Sequence, residues 1–142
     1  MSPENNKAVF RRFIEEVLQR GNLDAVDELM SPEFVEHEPL PPGLPMTREG
    51  AKQFLGMLRG AFSEMEAIVE DEISQGDRVV ARLTISGKHT GELAGVAPTG
   101  RIVSFGVVDI CRLEDGRIVE HWGIADQLGM LQQIGAIDSA AH

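Results

Sequence analysis

The chain has 142 residues, enough for one domain with a sizeable core and no need of a disulfide or metal staple. Its 23 acidic residues outnumber 13 scattered basic ones, for a formal net charge of −10, which argues against nucleic acid or an anionic membrane as partner. One cysteine, Cys111, excludes an internal disulfide and a cysteine-rich zinc site, and the absence of tyrosine excludes any chemistry that polarises a carbonyl with a phenol.

Phe10, Phe13, Ile14, Val17 and Leu18 recur at helical spacing, with Arg11, Arg12, Glu15, Glu16 and Gln19 between them, and Gly21 closes that helix. Asn22 is read as the cap of a second, short helix whose face carries Leu23, Val26 and Met30, and Pro32 as its stop. Phe34-Val-Glu-His37 is a short extended piece. The run Pro39–Pro45 is too rich in proline for a helix or a central strand and reads as a loop. Thr47 caps a third helix with the stripe Ala51, Phe54, Leu55, Leu58 and Phe62.

The period then changes. Ile68–Ile73, Val79–Ser86, Ile102–Leu113 and Ile118–Trp122 are rich in β-branched and aliphatic residues. Turns at Gly76-Asp77, Pro98-Thr-Gly100 and Asp115-Gly116 separate them, and Asp-Gly is a strong hairpin signal. A last helix follows Asp126, with Leu128, Leu131 and Ile134 inside and Gly135 at its end. Helices first and a meander afterwards make an α+β fold. A strongly curved, mostly antiparallel sheet wraps around three N-terminal helices as a cone-shaped barrel with an internal pocket, and a short C-terminal helix follows. The whole of residues 1–142 is read as a single domain, with its core over about 5–135. No leading signal stretch and no apolar run near twenty residues is seen, so a cytoplasmic protein is expected.

The chain carries Gly-Asn-Leu-Asp-Ala-Val-Asp-Glu-Leu, Phe-Val-Glu-His, Gly-Asp-Arg-Val-Val-Ala-Arg, Gly-Lys-His-Thr-Gly-Glu-Leu, Asp-Gly-Arg-Ile-Val-Glu-His-Trp and Gln-Gln-Ile-Gly, in that order. In this it resembles the SnoaL-like polyketide cyclase family of the nuclear transport factor 2-like superfamily, from about Asn5 to Gly135. The resemblance implies a homodimer formed through the outer face of the sheet. It also implies a cofactor-independent enzyme that closes a ring by intramolecular aldol condensation, with an aspartate as general acid and base. Asp126 is the aspartate that fits this role, with His121 near it. The partner expected is an apolar, carbonyl-bearing small molecule. A carrier of hydrophobic small molecules, an isomerase or hydrolase on the same fold, and a pure dimerisation module with a filled cone are the alternatives. The missing tyrosine weighs against steroid-isomerase-like and epoxide-hydrolase-like chemistry.

An aldol closure needs a base for a carbon proton and a donor for the attacked oxygen. The catalytic candidates are Asp126, His121 and His37. Asp126 stands at the start of the last helix, where capping alone would also explain it. His121 and Trp122 are strand neighbours and point to opposite faces unless a bulge intervenes; the sequence leaves open which face is inside. His37, beside the proline-rich loop, is placed either at a pocket mouth or on an exposed loop. His89 lies at an irregular strand end, where a surface position is the alternative to a role in binding.

Asp109 is a charge inside the apolar run Val107–Cys111, so it faces water or a pocket, and Arg82 on the neighbouring strand is its suggested ion-pair partner. Trp122, Phe34, Phe54 and Phe105 are expected to shape the cavity. The histidines show no metal-ligand spacing, so no metal is expected. His142, the last residue, is expected to be unstructured.

Overall fold

Ser2 opens the first helix, its hydroxyl accepting the Asn5 N–H at 3.1 Å, and Pro3 fills a first-turn position where no N–H is needed. In this computed structural model, which describes residues 2–137, α1 spans Pro3–Phe13. The expectation for His142 falls outside those residues. From Ile14 to Gln19 the helix widens into a π-helical segment, and Phe10, Ile14, Val17 and Leu18 stay buried through the change. Gly21, at φ +70°, releases the chain from it. Helix α2 covers Asp24–Leu29. Asn22 does not cap it, because Leu23 holds the N-cap position and offers no side-chain bond.

The chain leaves α2 before Pro32 is reached. Strand β1 spans Met30–Glu36 and contains that proline, exposed on the edge of the sheet, where a missing N–H is tolerated. Helix α3 runs Arg48–Ala61, with the Thr47 hydroxyl accepting the Gly50 N–H at 3.4 Å. Four long strands follow: β2 (Phe62–Gln75), β3 (Arg78–His89), β4 (Ile102–Glu114) and β5 (Arg117–Ala125). Asp115 and Gly116, at φ +50° and +78°, make the two-residue turn between β4 and β5 that Asp-Gly predicts. Helix α4 spans Gln127–Gln133.

The sheet order is β1-β5-β4-β3-β2, antiparallel except for β1, which lies parallel to β5. Alternation decides what each strand buries. Val79, Ala81, Leu83 and Ile85 of β3, and Val103, Phe105, Val107, Cys111 and Leu113 of β4, face the helices. The residues between them, on the other face, are exposed or half-buried. Of the three residues expected inside α4, Ile134 is buried but Leu128 is exposed. Among the described residues no helix is long and apolar enough to cross a membrane.

Candidate active site

Between the inner face of the sheet and the helices lies a hollow of about 160 Å³. Phe10, Phe34, Phe54, Leu58, Phe105 and Met130 supply much of its apolar wall, while Glu36, Glu38, Asp109, His121 and Gln127 bring polar atoms to it.

Strand geometry sets these groups. In β1, Phe34 is buried, so the residue two further on, Glu36, faces the same way, and Val35 and His37 face out. In β4, Asp109 falls on the inner parity between Val107 and Cys111. In β5 a bulge changes the parity. Arg112 pairs with Glu120 and Leu113 pairs with Ile118, leaving Val119 as the extra residue. Ile118 and His121 therefore both point inward although they are three apart. Glu36 and His121 are register partners across β1 and β5, and Cys111 lies opposite His121 across β4 and β5.

The result is a carboxylate–imidazole–carboxylate chain. His121 Nδ1 lies 2.5 Å from Glu36 Oε1, and Nε2 lies 2.7 Å from Asp109 Oδ1. With a carboxylate oxygen at each ring nitrogen, the ring is protonated on both and donates in both directions. Side-chain exposures of 5% for Glu36, 13% for Asp109 and 20% for His121 put the chain largely out of water. Burial works against the charged ring, but the hydrogen bonds and charges of Asp109 and Glu36 outweigh it and push the His121 pKa up to about 10. Glu38 stands beside this chain, and burial raises its pKa, with the His121 charge opposing and the Asp109 and Glu36 charges adding to the rise. Burial also lifts the Cys111 thiol well above its ordinary range, reinforced by Asp109 and Glu36, so the thiol stays protonated. One oxygen each of Glu36 and Glu38 and one ring nitrogen of His121 lie within 4.8 Å of one another, a spacing a metal ion could bridge. Such an ion would compete with hydrogen bonds that already occupy both nitrogens.

The structure separates several residues that the sequence grouped. Asp126 does not project into the hollow. It is exposed, and its side chain accepts the Gly129 N–H at 2.9 Å as the N-cap of α4. Trp122, one residue past His121, is on the outer face; its ring stacks on His37 with centroids 4.7 Å apart, and the Arg78 guanidinium lies 5.0 Å from its centre. His37 is thereby also on the outer face, its Nε2 2.8 Å from Glu120 Oε2, and not at the pocket mouth. Arg112 holds the other oxygen of Glu120 and, with His37, keeps that carboxyl below its usual range.

Arg82 does not pair with Asp109. It lies opposite Val108, one residue out of phase, and binds Asp71 at 2.6 and 3.0 Å on the exposed face. His89 is neither at the surface nor at the hollow. It is fully buried, its Nδ1 accepting the Thr99 N–H at 3.3 Å. Phe34, Phe54 and Phe105 line the hollow with Asp109 and His121. Glu36 and Glu38 were missed by a reading drawn to the adjacent His37; the alternation started by Phe34 was the signal that could have found Glu36.

The family model described as SnoaL-like polyketide cyclase matches residues 8–134. The chain is 34% identical over 116 residues to the nogalonic acid methyl ester cyclase of Streptomyces nogalater, covering 81% of this chain and 87% of the relative. It is 32% identical over 133 residues to the aklanonic acid methyl ester cyclase AcmA of Streptomyces galilaeus, covering 90% of this chain and 89% of the relative. Among solved structures, IdmH from Streptomyces antibioticus superposes with a TM-score of 0.80 at 36% identity, covering 92% of this chain and 98% of the other.

Proposed function

The chain belongs to the SnoaL-like polyketide cyclase family, and from that premise we propose that it closes a ring by intramolecular aldol condensation on an uncharged, carbonyl-bearing apolar substrate. The observation that carries this reading is the Glu36–His121–Asp109 chain at the polar end of an otherwise apolar hollow. Asp109 is the base. One of its oxygens accepts from the imidazolium, and the other is free to take a proton from a carbon flanked by carbonyls. Such a carbon is acidic enough for a carboxylate in a site of low water content. His121 is a positioning residue: its Nε2–H fixes the Asp109 carboxyl, and Glu36 fixes the ring from behind. The scheme uses side chains alone and needs no cofactor.

The charge of the hollow supports the choice of substrate. No lysine or arginine lines it among the described residues, and three carboxyl groups do. A free substrate carboxylate would lose its water there without gaining a free cation, since both N–H groups of His121 are already given to carboxylates, and that is costly. A methyl ester, as in the names of the two relatives, carries no such penalty. Aklanonic acid methyl ester should therefore be cyclised by the purified protein, and the free acid should not, as followed by chromatography of the products. Equal turnover of both, or of neither, would contradict the reading.

The same reading extends to assembly and location. Val108 and Ile124 are register partners on the outer face, 44% and 78% exposed, beside Ile110 and Trp122. This apolar strip supports pairing of two copies through their sheets. The single cysteine, buried and unpaired, fits a cytoplasmic protein.

A further inference from the structure

The cyclase scheme lacks one group. The oxygen of the attacked carbonyl must receive a proton, and His121 cannot supply it while both its N–H groups are given to carboxylates. Resting on the cyclase reading above, we propose that Glu38 is the proton donor, and that Gly123 is the residue that makes room for it.

Glu38 is two residues beyond Glu36 and lines the hollow. Its backbone N–H is 3.3 Å from Glu36 Oε1. Among the described residues, no hydrogen bond reaches its carboxyl group, unlike those of Glu36 and Asp109. Its place exists because β5 carries no side chain at Gly123. That glycine is the register partner of Asp109, two residues past His121. A Cβ at this position would collide with Glu38 Oε1 and stand 2.8 Å from His121 Cε1 and 2.9 Å from Asp109 Oδ1. Two carboxyl groups thus meet across one bare stretch of backbone, within reach of a single substrate. The charged groups that face Glu38 are His121 from β5, Asp109 from β4 and Glu36 from β1. Burial and the two carboxylates favour its neutral form. Asp109 accepts a hydrogen bond from the His121 ring, whereas none reaches the Glu38 carboxyl among the described residues, so one carboxyl is placed as base and its neighbour as acid.

In the closure, Asp109 removes the carbon proton and the C–H electron pair becomes the nucleophile. The new C–C bond forms as the carbonyl π pair moves onto oxygen, and the Glu38 O–H proton passes to that oxygen. Glu38 is left as carboxylate and Asp109 as acid. Transfer of one proton from Asp109 to Glu38 restores both, and the substrate keeps its formula.

The test combines a titration with turnover. The full chain, labelled with ¹³C at glutamate carboxyls, is titrated by NMR as wild type, Glu38→Gln and Gly123→Ala. The Glu38 resonance should titrate above the ordinary glutamate range in the wild type, be absent in Glu38→Gln and return toward the ordinary range in Gly123→Ala. Cyclisation of aklanonic acid methyl ester should fall about a hundredfold or more in both variants. Exchange of deuterium into the acidic carbon of acetylacetone, which needs Asp109, should persist in Glu38→Gln. Ordinary titration of Glu38, or cyclisation by Glu38→Gln at the wild-type rate, overturns the donor role alone. A wild type inert to the ester overturns the cyclase reading, and the donor role with it.

Discussion

Asp109 and Asp126 differ in what surrounds them, not in what they are. Asp126 meets the free N–H groups of a helix start and water; Asp109 meets an imidazolium and apolar wall. Reading a charge inside the apolar run Val107–Cys111 as facing a pocket needed only alternation and the cost of burying a carboxylate. The partner of that charge was not legible, because Arg82 and Asp109 are one residue out of phase across β3 and β4. His121 carries the electrostatic prediction. Replacing it with glutamine leaves Glu36 and Asp109 buried without their shared cation and should cost about 3–5 kcal/mol in urea unfolding. The sign follows from a folded pKa of about 10 against an ordinary 6.5. The stabilisation is fully present below pH 6.5 and drains away as pH rises towards 10. The wild-type melting temperature should fall across that window, and His121→Gln should flatten the fall.

At the scale of elements, the helices, the loop and the four strands of the meander were written in apolar period and turn chemistry. Asp115-Gly116 specified its hairpin down to the two positive φ values. The bulge at Val119 was not written there. No local signal in Ile118–Trp122 distinguishes an extra residue from a regular one, yet that residue decides whether His121 or Trp122 faces the hollow. The first strand hid in the same way: Pro32 looked like a helix stop, but an edge strand tolerates it. The seating of α3 against the proline-rich loop is a further element-scale dependence. A Cβ at Gly50 would drive into the Pro45 carbonyl, and Met46, next to it, accepts the Glu36 N–H at 3.0 Å. Gly50→Ala should therefore cost about 1–3 kcal/mol by overpacking. It should also shift the His121 ring resonances in NMR, because the end of β1 must move; an unchanged melting temperature and spectrum would show that the loop does not seat the site.

For the molecule as a whole, the fold separates two surfaces of one sheet. The inner face and the helices enclose a largely apolar hollow, in which two carboxylates share one imidazolium and the Glu38 carboxyl stands beside them. The outer face carries Val108, Ile110, Trp122 and Ile124 among the charged pairs, and the net charge of −10 stays largely outside the hollow. The alternation of β4 and β5 serves both surfaces at once, so a chain short of aromatic and basic residues still builds a hollow with a carboxylate–imidazole chain and an apolar strip. The central claim is that proton transfer belongs to the carboxylate held by His121 and not to the aspartate that caps α4. Its most direct measurement compares turnover of aklanonic acid methyl ester by Asp109→Asn and Asp126→Asn. Asp109→Asn should lose about 10²–10⁴-fold in rate while keeping the fold, and Asp126→Asn should stay within a few-fold of the wild type. An active Asp109→Asn beside an inactive, folded Asp126→Asn would contradict the account.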